Sequence, residues 1–199
     1  MINVAAVQNL CNTLGYPYHI KGTAPEVLLV GEYHHVTALP GQERLIKLIK
    51  PRVVLHEAAD EAMLEREATS RILAVWPQKF GVEVLLGDML PQHRRWAELV
   101  LIKTLELAGV SLTIKSQYAI ETALDLIREA VVGRQIAALV SARKTPAMVV
   151  MGERHVMPGS ALYPYLNKTP GYFTLLQRPN AVEVLRADAA FFSRPTKKA

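Results

Sequence analysis

Two segments of the chain run from apolar residues into the same four-residue pattern. Residues 27–36 read VLLVGEYHHV and residues 149–159 read VVMGERHVMPG, so Gly31 to His34 and Gly152 to His155 are both Gly-Glu-x-His. Two more apolar runs end in ionisable residues, RVVL in His56-Glu57 and VEVLL in Gly87-Asp88. Of the six histidines in the chain, four (His34, His35, His56 and His155) fall at these ends, which is hard to assign to chance turn chemistry. Imidazoles with several carboxylates, and no cysteine beside them, are a donor set for a catalytic or exchangeable divalent metal rather than for a structural zinc. A bound metal would polarise a carbonyl and activate water. The same residues also support metal-free chemistry, with a histidine taking a proton from water while a carboxylate orients its other ring nitrogen. Spacing alone does not choose between the two, because the residues lie on separate segments.

Those segments must be positioned by a sheet. Short runs rich in Val, Ile and Leu recur at 26–30, 52–55, 82–86, 110–114, 147–151 and 172–176, most of them continuous in apolar residues rather than alternating. Such runs predict strands buried on both faces, as in a parallel sheet covered by helices. Between them, residues 41–50 and 60–76 carry apolar residues at helical spacing, with Pro77 closing the second stretch. Pro91 opens a helix that runs to Gly109, and Ser116 is the candidate N-cap of a long segment to about residue 143, interrupted at Gly133. Residues 1–20 read as an N-terminal helical addition, and 181–199 as a C-terminal helix and basic tail. The expected architecture is a single α/β domain over residues 1–199, with a mostly parallel central sheet of about six strands and helices on both faces. In such sheets ligands sit outside the carboxyl ends of the strands. That rim is where Glu32, His34, His35, Glu57, Asp88, Glu153 and His155 fall.

Composition narrows the function. Half the residues are apolar, enough for a sizeable core. The single cysteine, Cys11, reads as a small buried residue of the first helix, and nothing points to an oxidising compartment. No apolar run approaches a membrane span and no leader pattern opens the chain, so the expectation is a soluble cytoplasmic protein. The formal charge of +5 is dispersed apart from the RPTKKA tail, which argues against a nucleic-acid partner. No dinucleotide fingerprint, Walker A loop or Gly-x-Ser-x-Gly elbow occurs. Arg94 and Arg95, at the start of the helix after Asp88, are candidates to stabilise a developing oxyanion, with a solvated helix face as the plainer role. Tyr163, Tyr165 and Tyr172 are candidates to line a pocket, while Trp76 and Trp96 read as core.

With these motifs in order, the chain resembles the Tiki/TraB superfamily, which takes in erythromycin esterase-like and ChaN-like haem-binding proteins and is marked by paired Gly-x-x-His motifs. The stretches IKPRVVLHEA (49–58), GVEVLLGDMLPQHRRW (81–96) and VVMGERHVMPG (149–159) carry the likeness, which spans roughly residues 25–160. The resemblance implies an erythromycin esterase-like/ChaN-like fold and a metal-dependent hydrolase of the peptidase or esterase type. By position it assigns His34, Glu57 and His155 as metal ligands and catalytic residues, and the polar rim itself adds Glu32 as a catalytic candidate. His35, Asp88, Arg94, Arg95 and Glu153 would support the metal shell or the substrate. Manganese, cobalt or zinc is the implied ion and a peptide or small molecule the substrate, with a homo-oligomer a further expectation. The alternative is a non-catalytic protein that binds haem or a peptide signal in the same crevice, with Tyr33, His34, His35 and the later tyrosines Tyr163, Tyr165 and Tyr172 as axial-ligand candidates.

Overall fold

A strand that is apolar at every position is stable only where both faces of its sheet are covered. Val27–Glu32 and Ala147–Gly152 are such strands, and all six residues of each are buried. The computed structural model, which describes residues 1–32, 38–57, 71–87, 89 and 91–177, places them side by side at the centre of one sheet. Its strands are β1 (Tyr18–Lys21), β2 (Val27–Glu32), β3 (Val53–His56), β4 (Glu83–Leu86), β5 (Ala147–Gly152) and β6 (Tyr172–Leu176). They lie in the order β1-β6-β2-β5-β3-β4, parallel throughout except for the antiparallel edge strand β1. The chain leaves β2 towards β3 on one side and leaves β5 towards β6 on the other. Connections therefore diverge above the carboxyl ends of β2 and β5, where a crevice forms.

Helices cover both faces. On one face, Leu28, Val30, Val54, Met148, Val150 and Phe173 pack with Val7 and Cys11 of α1 (Val4–Leu14) and with Leu45, Ile46 and Ile49 of α2 (Leu39–Ile49). Trp76, which opens the short helix α3 (Trp76–Phe80), closes the same cluster. On the other face, Leu29, Leu55, Val149 and Met151 pack against Val132, Ile136 and Leu139 of α5 (Ile114–Ser141) and against Leu162 and Leu166 at α6 (Tyr163–Leu166). A smaller cluster of Ala97, Ile120 and Leu124 joins α4 (Pro91–Leu107) to α5. Among the described residues no helix is long and apolar enough to cross a membrane.

The α/β class and the mostly parallel six-stranded sheet agree with the sequence reading, but one strand was exchanged for another. Residues 110–114 are not a strand. The Thr113 side chain accepts a hydrogen bond from the Ser116 N–H and the Ser116 side chain accepts one from the Thr113 N–H, a capping box that starts α5 and leaves Ile114 exposed. Ser116 is thus the third residue of the helix rather than its cap. The sixth strand is β1, whose YHIK sequence is mostly exposed and lacks the apolar signature of the others. Pro77 does not close a helix but sits in the first turn of α3, where no N–H is needed, after a π turn over Arg71–Val75. Trp96 is 68% exposed on α4, not core, whereas Trp76 is fully buried. The expected helical stretch from 60 to 70 and the tail from 181 to 199 lie outside the described residues.

Gly133 does not interrupt α5, which runs unbroken from 114 to 141. A Cβ at Gly133 would lie 2.3 Å from Cδ2 of Tyr165, so the glycine admits the Tyr165 ring against the helix backbone. Gly133→Ala should lower stability by about 1–3 kcal/mol despite its better helix propensity, because the ring is displaced from a packed position. In urea titrations the loss should largely vanish when Tyr165 is also Ala; an equal loss in both backgrounds would show that the ring contact is not the cause. Cys11 is fully buried, and burial pushes its thiol up to about 11. At about pH 9, where an unfolded cysteine is largely thiolate, the native protein should resist iodoacetamide while the urea-unfolded chain alkylates within minutes. Mass spectrometry reads the difference directly.

Candidate functional site

Adjacent residues at the end of a strand point to opposite faces of the sheet. His56 and Glu57 follow this rule, and with them the polar chemistry at the strand ends divides into two networks. On the α1/α2 face, Gln42 donates to Glu32, and its carbonyl oxygen lies 3.3 Å from His56 Nε2. The His56 ring meets Trp76 edge-on at 5.8 Å, and its Nε2 is 4.0 Å from Glu32 Oε1. Trp76 in turn donates to Glu43, which also accepts from Lys79 at 3.0 Å. Glu32 is therefore held on this face, away from Glu57 and His155.

On the α5 face, Glu57 is almost wholly buried and its carboxylate is held from three directions. Arg128 of α5 donates to Oε1, the Gly152 backbone N–H donates to Oε2 at 2.5 Å, and His155 Nε2 lies 3.5 Å from Oε1. His155 is 2% exposed, and its Nδ1 is 3.0 Å from Glu129 Oε1. The second Glu129 oxygen accepts from the Ala161 N–H at 2.6 Å, which fixes the carboxylate. Glu129 thus orients the ring, so that Nε2 faces Glu57. Asp125, one turn earlier on α5, pairs with Arg154 at 2.9 Å and with Arg128 at 3.4 Å. Among the described residues, three carboxylates (Glu57, Glu129 and Asp125) and two guanidinium groups (Arg128 and Arg154) meet around His155.

The two glycines of the paired motifs have separate uses. Gly152 supplies the amide that holds Glu57. Gly31 lies under the 3₁₀ turn Glu153–Val156, and a Cβ there would come within 2.4 Å of Val156 Cγ2 and 3.1 Å of the Glu153 Cα. The first motif is therefore shaped to let the second pass over it, and the turn carries His155 to the network. A cleft of about 390 Å³ opens onto this cluster, lined by Tyr118, Asp125, Glu129, His155, Gly159 and Ser160 among others.

Of the residues singled out from sequence, Glu57 and His155 are brought together. Glu153 begins the turn and is partly buried, and its Cα packs over Gly31. Arg94 pairs with Glu121 at 3.3 Å on the partly exposed side of α4, and Arg95 is exposed. Tyr33, His34, His35 and Asp88 lie outside the described residues, whereas of the later tyrosines Tyr172 is buried in β6 and Tyr163 and Tyr165 are partly buried. Asp125, Arg128 and Glu129 were not anticipated. Their signal was nonetheless present: Leu124, Arg128, Val132 and Ile136 recur every four residues, so an arginine occupies a core-facing position of an otherwise apolar stripe.

The described residues contain no group of three side chains arranged to hold a metal. Two of them do have a suitable separation. Donors about 2.1 Å from one tetrahedral ion stand about 3.4 Å apart, and His155 Nε2 and Glu57 Oε1 are separated by 3.5 Å. Compared with protein-family models, curated proteins and solved structures, the chain finds no match in any of the three.

The network makes a stability prediction that is independent of any ligand. Arg128→Met should destabilise the protein by about 3–5 kcal/mol, because it leaves the Glu57 charge buried and uncompensated. Adding Glu57→Gln should recover part of that loss, since the orphaned charge is then gone. Additive losses in urea denaturation would show that the two side chains do not act as a pair.

Proposed function

We propose that this chain is a metal-dependent hydrolase of amide or ester bonds, of the Tiki/TraB type, with the erythromycin esterase-like arrangement and cytoplasmic placement that go with that reading. The observation that carries it is the pairing of His155 Nε2 with Glu57 Oε1, 3.5 Å apart although they lie 98 positions apart in sequence, in a cluster where carboxylates gather at a cleft. His155 and Glu57 would hold the ion, with His34 of the first motif completing the set. Manganese, cobalt and zinc all accept imidazole and carboxylate ligands. When bound, the ion would supply Lewis-acid polarisation of the scissile carbonyl and of water.

The chain's own residues do the positioning. Glu129, 3.0 Å from His155 Nδ1, orients the ring so that Nε2 would be presented, with Glu57, to a shared ion. Arg128 and the Gly152 amide prevent Glu57 from rotating out of the site. The cleft beside Glu129 and His155 admits substrate from the side of Ser160 and Gly159, where the backbone is open.

Isothermal titration of metal-free protein with Mn²⁺, Co²⁺ and Zn²⁺ should give one ion per chain, with His155→Ala abolishing binding. Glu129→Gln should weaken it by about 10- to 100-fold, as outer-shell partners of ligating histidines do. Hydrolysis of a broad peptide and ester panel should follow occupancy. Metal content and hydrolysis that are unchanged in a His34→Ala, His155→Ala double variant would defeat the proposal.

A further inference from the structure

The edge strand β1 and the pocket beside it have a chemistry that the cluster around His155 does not use. The Leu176 N–H donates to the Pro17 carbonyl at 2.9 Å, which sets the phase of the β1–β6 ladder. In an antiparallel pair, residues alternate between those that exchange hydrogen bonds with the partner strand and those whose N–H and C=O point away. With Pro17 facing β6, His19 and Lys21 also face β6, opposite Thr174 and Tyr172. Tyr18 and Ile20 therefore direct their backbone donors and acceptors outward, along what is the edge of the sheet among the described residues.

Directly beside this edge is an apolar pocket of about 360 Å³. Its floor includes Pro17, His19, Thr174 and Leu176, and its wall is Val156, Met157 and Tyr163. The Tyr163 hydroxyl donates to the Val156 carbonyl at 2.9 Å, and Thr174 Oγ1 on the floor has no hydrogen-bond partner among the described residues. Tyr18 and Met157, at 37% and 41% exposure, leave large apolar surfaces at the rim. Pro158 lines both this pocket and the His155 cleft, so the two lie on either side of the 153–159 segment.

We infer that β1 and this pocket form a binding site for an extended peptide, which pairs through its backbone with Tyr18 and Ile20 and inserts one apolar side chain between Met157, Tyr163 and Thr174. An added strand places the residue opposite His19 on the face where His19 and Thr174 point, and that residue fills the pocket. The four-residue length of β1, with Pro17 before it, limits pairing to a short segment. Because the carboxyl rim of the sheet adjoins the pocket at Val156 and Met157, the bound segment leads towards His155. That last step rests on the hydrolase reading above, and makes the substrate an unfolded peptide rather than a small ester.

The test uses the full chain and a fluorescein-labelled, terminally blocked heptapeptide of alternating Thr and Ser around a central Phe, with binding read by anisotropy. Replacing the central Phe by Ala should weaken binding by about tenfold or more, the size expected for one aromatic side chain leaving an apolar pocket. N-methylation of alternate amides should abolish binding in one phase and spare it in the other, because only one set faces β1. Met157→Trp, which fills the pocket from an exposed position, should compete with the central Phe while leaving the circular dichroism spectrum unchanged. Indifference to the phase of methylation, undiminished affinity with central Ala, or edge-to-edge dimers that exclude the peptide would each overturn the inference. Binding that obeys both rules with no cleavage keeps the peptide site and removes the hydrolase reading. Cleavage that ignores both rules does the reverse.

Discussion

A carboxylate buried at the end of a central strand must be compensated within the protein, because the free energy of leaving it alone exceeds what a domain of this size can absorb. Glu57 is that carboxylate. Its partners come from three elements far apart in sequence: the Gly152 amide from the end of β5, Arg128 from the middle of α5, and His155 from the turn that follows β5. Satisfying it fixes the depth at which α5 lies on the sheet. It also fixes the path of the chain after Gly152. The Tyr165 ring seated against Gly133 and the turn passing over Gly31 hold the same helix and the same turn by packing. Charge compensation and close packing thus constrain one another.

The sheet separates this network from a second one, in which Glu32, Gln42 and His56 are buried against Trp76. The division follows from the two-residue period of a strand, which sends His56 to one side and Glu57 to the other. The two networks differ in character. Around His56 a neutral amide mediates between histidine and glutamate, which suits a structural plug at the strand ends. Around His155, three carboxylates and two guanidinium groups of the described residues meet beside an open cleft, so charged groups rather than a neutral amide hold the histidine in place. The 153–159 segment forms the partition between that cleft and the apolar pocket next to β1, so polar chemistry and apolar recognition lie on its two sides.

The central strands were legible because an unbroken apolar run admits few alternatives to burial on both faces. The same criterion failed at both ends of its range. It selected residues 110–114, whose apolar composition is overruled by the Thr113–Ser116 capping box, and it passed over β1, whose exposed edge position demands no apolar pattern. Pairing His155 with Glu57 could be expected from their shared location at strand ends. Arg128 stood out only as an arginine in an apolar stripe, and its partner could not be named, since the rotation of α5 against the sheet decides which buried carboxylate it meets.

By itself the amino-acid order determined which segments become central strands, where each ends, and that the polar residues at those ends share one rim. It did so because burial and turn chemistry are local demands, written in consecutive residues. Tertiary structure alone decided that Glu32 and Glu57 part company across the sheet, that α5 supplies the countercharge, and that Glu129 aims the His155 ring. Those outcomes depend on which face each side chain meets and on the register between elements, and both are set only when distant segments pack together.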